Sequence, residues 1–265
     1  MIESVVLSEV SDRGIATVTL NRPDLHNAYN GAVVEGLSSA LKALAANAAV
    51  RVLVLRGNGK YFQAGADLAF LKEIAGKPPE EGIAFSRLTE ATVDGLRRFP
   101  RPTVALVHGG CFGGGIGLVA ACDMAIATTD SVFSISEVRW GLTPAVIMGV
   151  VTRRLGPRAL GRFALSGERF NAAEALRMGL IHQVCAPGML DQAAGPMIEA
   201  LLTCAPEAVA KTKALIEESI LHDGERGFSD ALIQEAAGRR RLPEAAEGVA
   251  SFAEKRPPSW YPQKK

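Results

Sequence analysis

Thr103-Val104-Ala105-Leu106-Val107-His108-Gly109-Gly110-Cys111-Phe112-Gly113-Gly114-Gly115-Ile116-Gly117-Leu118-Val119-Ala120-Ala121-Cys122-Asp123-Met124-Ala125-Ile126-Ala127-Thr128 decides the fold. Residues 103–107 are a short, largely β-branched apolar run that stops at a glycine cluster, the pattern of a buried strand. Residues 114–121 then read as a helix and 124–128 as a second buried strand, with 132–135 a third. Strand, glycine corner, helix, strand is the alternation of an α/β protein. Working upstream, 5–7 and 15–20 flank Ser11-Asp12-Arg13-Gly14, a hairpin turn. Asn21-Arg22-Pro23 ends the second of these strands. Val33, Leu37, Leu41 and Leu44 give 32–46 a helical period, and 51–56 is a further buried strand.

Downstream of Pro144 helices dominate, over 145–154, 157–165, 172–178, 189–202, 206–221, 225–240 and 243–255. Asn171 ahead of Glu174 supplies an N-cap, and 180–184 is the one strand in this half. The expected organisation is an α/β core over 1–190 followed by a helical region over 191–265, packed on the core or on another subunit. Lys77-Pro78-Pro79-Glu80-Glu81 reads as a mobile loop.

Composition removes several classes of function. Lys and Arg total 29 against 28 Asp and Glu, a net charge of +1, which argues against broad electrostatic capture of nucleic acid. Aromatics at 6% leave little for a base-stacking surface. Cys111, Cys122, Cys185 and Cys204 form no C-x-x-C pair and no zinc-type spacing, so reduced thiols and no metal are expected. The apolar stretch 103–127 is interrupted by His108, its glycines and Asp123, so it does not read as a membrane span. Met1-Ile2-Glu3-Ser4 has no basic, apolar leader pattern, and the expected location is cytoplasmic.

Two turns are candidates for chemistry. Phe62-Gln63-Ala64-Gly65-Ala66-Asp67-Leu68 follows one strand and opens a helix, and 108–115 does the same after the next. Each offers free backbone N–H groups at a helix start, where the dipole adds positive potential. Two such donors aimed at one point would hold a developing oxyanion; each cluster is also what an ordinary tight turn uses. Residues 115–120 fit G-x-G-x-x-A with Glu137 about twenty residues on, but Gly115 lies inside the helix rather than in the turn, against a dinucleotide site. No G-x-S-x-G or H-E-x-x-H is present, and His26, His108, His182 and His222 are scattered. Glu137 stands out. It follows the apolar Phe133-Ser134-Ile135-Ser136 as the end of a strand, where desolvation would raise its pKa toward that of a working acid/base. Pairing with Arg139, or exposure to water, is the alternative.

These segments, in this order, resemble the crotonase family, also called the enoyl-CoA hydratase/isomerase superfamily. The resemblance is carried by Asn21-Arg22-Pro23 with Asn27-Ala28, by 62–68, 102–123, 133–144 and 172–181, and by 247–257 near the C-terminus. It implies a spiral of ββα units with a helical C-terminal region that forms a homotrimer, often a dimer of trimers. It further implies an acyl-CoA thioester as substrate, with its oxygen held by the N–H groups of Ala66 and Gly114, no cofactor beyond the coenzyme A of the substrate, and Glu137 as acid/base. The coenzyme would run past Arg22, His26 and the turn made by Gln63, Ala64, Gly65, Asp67 and Leu68, with Trp140 also among the substrate- or CoA-binding residues. Where two-glutamate hydratases of the family carry a carboxylate after the glycine triplet, this chain has Gly117.

The stretch 112–126 followed by Ser136-Glu137-Val138-Arg139 and Gly141-Leu142 is most similar to bacterial 3-methylglutaconyl-CoA hydratase-type proteins. That likeness implies water addition to a branched enoyl-CoA, 3-methylglutaconyl-CoA or its isohexenylglutaconyl homologue. Gly117 would open room for the β-branch, and Arg139 would reach a distal carboxylate. A Δ3,Δ2-enoyl-CoA isomerase with Glu137 as sole proton shuttle is the nearest alternative. A decarboxylase, a feruloyl-CoA-type hydratase-lyase and a non-catalytic CoA-thioester-binding subunit are the others.

Overall fold

The computed structural model describes residues 4–222 and 228–263. β1 (Val6–Val10) and β2 (Ile15–Leu20) form the expected antiparallel hairpin, closed by Gly14 N–H donating to Ser11 O at 2.8 Å. Asn30 caps α1 (Gly31–Ala46) by accepting from Val33 N, and the helix buries Val33, Leu37, Leu41 and Leu44 along one face. β3 (Val52–Gly57) follows, then α2 (Leu68–Ala75) and α3 (Pro79–Arg97). β4 (Thr103–Val107) leads through the short β5 (Gly110–Phe112) into α4 (Gly114–Ala121). β6 (Met124–Thr128) leads through the short β7 (Val132–Ser134) to α5 (Met148–Ser166).

The chain closes with β8 (Phe170–Asn171), α6 (Ala172–Arg177) and β9 (Gln183–Cys185). The helices α7 (Leu190–Thr203), α8 (Pro206–Leu221), α9 (Phe228–Arg239) and α10 (Pro243–Ala253) follow. One sheet runs β1-β2-β3-β4-β6-β9, parallel after the hairpin, and a second runs β5-β7-β8. A turn of the chain thus gives a strand to the large sheet, a short strand to the small one, and a helix. This is the spiral of ββα units.

Both faces of the large sheet are covered, which is why its strands read as continuous apolar runs. On β3 and β4 the side chains divide with period two. Leu53, Leu55, Ala105 and Val107 enter the main core with α1 and α4, whereas Val52, Val54, Val104 and Leu106 meet Leu190, Ala194 and Leu202 of α7. α8 is tied down by Lys213, whose Nζ lies 2.7 Å from Asp123 Oδ2; the same oxygen accepts from Thr103 N at 2.8 Å. None of the helices among the described residues is long and apolar enough to cross a membrane.

Several expectations need correction. Residues 77–81 are not a loop throughout, because Pro79, Glu80 and Glu81 form the first turn of the nineteen-residue α3. Proline at a helix start costs no hydrogen bond, and acids there complement the dipole. The strand expected over 180–184 is β9, beginning only at Gln183. Leu180 and Ile181 turn into the core instead, and pairing starts at Ile126 with Gln183. Glu137 is not on a strand: β7 ends at Ser134, and Glu137–Trp140 is a single 3-10 turn. The helices expected over 145–154 and 157–165 are one element kinked at Gly156 beside Pro157, preceded by a 3-10 turn at Ala145–Ile147. The expected start of a helix at Glu225 lies outside the described residues.

One buried polar residue ties the segment after β2 to the segment after β3. Asn27, fully buried and left-handed at φ 58°, donates from Nδ2 to the carbonyls of Asn58 and Tyr61 at 2.8 Å and of Phe62 at 3.2 Å. Its Oδ1 accepts from Arg22 N at 2.8 Å. Asn27→Ala leaves these groups in the core without partners, so it should cost about 3 kcal/mol of stability. A denaturant titration reads this directly, and a loss below about 1 kcal/mol would remove Asn27 from this role.

Candidate active site

The turn at 62–68 is held from two sides. Gln63 N donates to Gly110 O at 3.1 Å and Phe112 N to Gln63 O at 2.9 Å, stitching it to β5. Tyr29 N donates to Gly65 O and Asp67 N to Tyr29 O, both at 2.9 Å, stitching it to the start of α1. Within the turn, Gln63 Oε1 accepts from Gly65 N at 2.8 Å while its Nε2 donates to Gly65 O at 3.1 Å, which settles Gly65 at φ 90°. Asp67 caps α2 through Ala69 N and Phe70 N and meets Arg22 Nη2 at 2.9 Å. Burial pushes the Asp67 carboxyl up, but the Arg22 hydrogen bond and the two amides outweigh it and hold the group below its ordinary value.

The second corner turns at Gly113, φ 50° and ψ −118°, a conformation that favours glycine. Gly113 N donates to Ser134 O at 2.9 Å, and α4 starts at the next residue. Among the described residues, neither the Ala66 nor the Gly114 N–H donates to another group of the chain. Both residues line one cavity of about 1090 Å3. Tyr29 touches both, pairing its backbone across Ala66 and laying its ring on Gly114, where an added Cβ would stand 2.6 Å from Tyr29 Cε1.

Glu137 completes the group. A Cβ on Gly113 would stand 3.0 Å from Glu137 Oε1, so the carboxyl lies directly against the glycine corner. Its Oε2 is buried and has no hydrogen-bond partner. Desolvation pushes its pKa above the ordinary carboxylate value, only partly offset by its own backbone N–H. The alternative of pairing with Arg139 is not what the structure holds. Arg139 leans on Gly167, whose Cβ position is 3.0 Å from Arg139 Nε, and is not part of the cavity wall.

The structure brings Gln63, Ala64, Gly65, Ala66, Asp67, Leu68, Gly114, Glu137 and Trp140 to this cavity. Trp140 and Leu68 remain 63% and 59% exposed, leaving apolar surface for a substrate to cover. Arg22 and His26 do not line the cavity. Arg22 braces Asp67 and Ala28 O, and the His26 ring packs on Tyr61 at 4.6 Å. Gly117 does not open room for a branch. A Cβ there would overlap Ile147 Cγ2 and stand 2.8 Å from Ile147 Cβ, so Ile147 already fills the space. Two lining residues had no signal in the sequence. Tyr29 follows the Asn27-Ala28 pair without being part of it, and Arg87 is one of many surface-type cations, yet it is the only Lys or Arg among the described residues that line the cavity. Among the described residues no cluster of His, Cys, Asp or Glu could hold a metal ion.

A cavity walled mainly by apolar side chains, with two unpaired amides and one desolvated carboxyl, suits an enzyme that stabilises an oxyanion and moves protons beside it. The family model for enoyl-CoA hydratase/isomerase matches residues 11–263. An enoyl-CoA hydratase from Shewanella pealeana, known from its crystal structure, aligns with a TM-score of 0.93 at 36% identity, covering 97% of this chain and 96% of that one. The bovine mitochondrial enoyl-CoA hydratase domain-containing protein 2 is 34% identical over 260 residues, 93% of this chain and 84% of that protein. A mevalonyl-coenzyme A hydratase of Aspergillus fumigatus is 30% identical over 259 residues, 94% of this chain and 92% of that protein. The chain belongs to the enoyl-CoA hydratase/isomerase family, the crotonase superfamily, and is an enzyme of that family.

Proposed function

We propose that the enzyme adds water to the α,β-double bond of a branched, carboxylated enoyl-CoA of the 3-methylglutaconyl or isohexenylglutaconyl type. The observation that carries this reading is the Glu137 carboxyl against the glycine corner, with its Oε2 buried and without a hydrogen-bond partner. The thioester oxygen accepts from Ala66 and Gly114 N–H, which stabilises negative charge as it develops there. Ionised Glu137 takes one proton from water while the oxygen of that water bonds to Cβ. The electron pair of the double bond moves into a thioester enolate, and Glu137 returns its proton to Cα. One water is added, and the carboxyl ends in the state in which it began.

Arg87, exposed on α3 at the cavity wall, is the cation within reach of a distal carboxylate. A mevalonyl group carries a methyl at C3, so a relative named for that substrate supports a β-branch. Coenzyme A enters as part of the substrate and lies along the 62–68 turn. The C-terminal helices α8–α10 serve trimer assembly on this reading, since Ile216, Ile220, Ile233, Val249 and Phe252 point outward.

Ile147 in the space beside Gly117 favours a second reading. Without a carboxylate at position 117 to hold water, Glu137 also suits proton transfer between two carbons of one enolate, as in a Δ3,Δ2-enoyl-CoA isomerase.

Incubation with 3-methylglutaconyl-CoA and with a 3-enoyl-CoA separates the two readings. Hydration is expected to bleach the conjugated chromophore and add the mass of one water to the first ester. An unchanged mass with a moved double bond on the second, and no water added to the first, would establish the isomerase instead. Arg87→Met is expected to raise KM about tenfold for the carboxylated ester, the scale of one charge-assisted hydrogen bond, and to leave KM for crotonyl-CoA unaltered. Equal effects on both esters would take Arg87 out of the specificity argument.

A further inference from the structure

Water addition needs the nucleophile held at a fixed angle, and a single carboxylate oxygen fixes only one of its protons. The place where a second acid would stand is hydrocarbon, because Ile147 fills the space beside Gly117. The other polar side chains of the cavity are mostly engaged. Ser86, Thr89 and Thr92 donate back to their own helix, Gln63 is locked onto Gly65, and Asp67 is bound to Arg22. Glu90 lies on the exposed face of α3, and of the hydroxyls that remain, those of Tyr29, Ser136 and Thr143, Tyr29 belongs to the side chain packed against Gly114. Its hydroxyl has no partner among the described residues.

Tyr29 is also fixed in place. Its backbone is bridged to Ala66, one face of its ring meets Gly114, and Phe85 stacks on it with centroids 6.3 Å apart. The Glu137 carboxyl thus lies against Gly113 and the Tyr29 ring against the next residue, Gly114. We propose that the Tyr29 hydroxyl is the second water-holding group of the hydration site, taking the role that a second carboxylate would otherwise fill. Water gives one proton to Glu137 and donates the other in a hydrogen bond to Tyr29 Oη, leaving a lone pair for Cβ. Tyr29 itself neither gains nor loses a proton. Burial, reinforced by the charge of Glu137, pushes its pKa up to about 12, so the phenol stays neutral and can accept.

This inference rests on the hydration reading, and the test keeps the two apart. Tyr29→Phe removes only the hydroxyl. Its kcat for hydration of 3-methylglutaconyl-CoA should fall about 10- to 100-fold with KM within about twofold, the loss of one positioning hydrogen bond. Exchange of the Cα proton of saturated 3-methylglutaryl-CoA with D2O needs only Glu137 and the amides, and should stay within about twofold of wild type. Hydration by the variant within twofold of wild type would overturn the role of Tyr29. So would an equal fall in hydration and exchange, which would make the hydroxyl a prop for Glu137. A wild-type enzyme that adds no water to the ester would overturn the hydration reading itself, and Tyr29's role with it.

Discussion

Glu137→Gln should lower kcat by about 10²- to 10⁴-fold, while affinity for the CoA ester changes by less than about threefold. The asymmetry follows from where the residue stands. Its carboxyl lies on the glycine corner, with one oxygen buried and unpaired, so it contributes little to holding the ground state. On the proposed mechanism it is the sole acid/base and carries the whole proton transfer, an effect typically worth 10² to 10⁴. Wild-type kcat should rise with pH through a value above the ordinary carboxylate pKa, because desolvation raises Glu137 and only its ionised form can accept a proton. The variant should lose that limb of the profile.

Stability should move the other way. Between the ordinary carboxylate pKa and the raised one, the folded state holds a proton that the unfolded state has lost, so Glu137 subtracts stability as pH rises through that window. Glu137→Gln should therefore raise the melting temperature at neutral pH and leave it little altered in acid. A variant that kept turnover, or that melted lower at neutral pH, would contradict the description of this carboxyl.

Gly114→Ala should cost about 10²-fold in kcat/KM without touching any charged group. The amide remains, but the new methyl would stand 2.6 Å from Tyr29 Cε1 and 3.2 Å from its Cδ1. Phe85 stacks on the ring and backbone bonds tie Tyr29 to the 62–68 turn, so strain is passed to Ala66. On the proposed mechanism the Gly114 amide is an oxyanion donor, and displacing it by about 1 Å is enough for an effect of this size. Gly95→Ala on α3 is the control. Nothing lies within 4 Å of its Cβ position, and replacing a helix-interior glycine should leave activity intact and add up to about 1 kcal/mol of stability. Equal activity in the two variants would mean that Gly114 is not placed against the thioester.

The run 103–128 was legible because strand, corner and helix each had their own local signal, and α4 begins at Gly114 as the pattern indicates. The hairpin and α8 were legible for the same reason. α3 was not, since consecutive prolines at 78 and 79 read as a break, although one of them is the first residue of the helix. The three-residue β5 and two-residue β8 are too short to show any periodicity. Glu137 was legible as a carboxyl in apolar company, but not its position on a 3-10 turn. Tyr29 and Ile147 were invisible for a different reason. Their meaning lies in contacts with Ala66 and Gly114, and with Gly117, which only the wound chain creates. Arg139 was misleading, because two residues of separation from Glu137 on a tight turn send its side chain toward Gly167.

The central claim is that the Ala66 and Gly114 amides and the Glu137 carboxyl act on one thioester. A crystal structure of the enzyme with a bound saturated acyl-CoA tests it most directly. The thioester oxygen is expected within about 2.7–3.1 Å of both amide nitrogens, with the Glu137 carboxyl facing Cα. A thioester seated with its oxygen on neither amide, or with Glu137 turned away from Cα, would contradict the account.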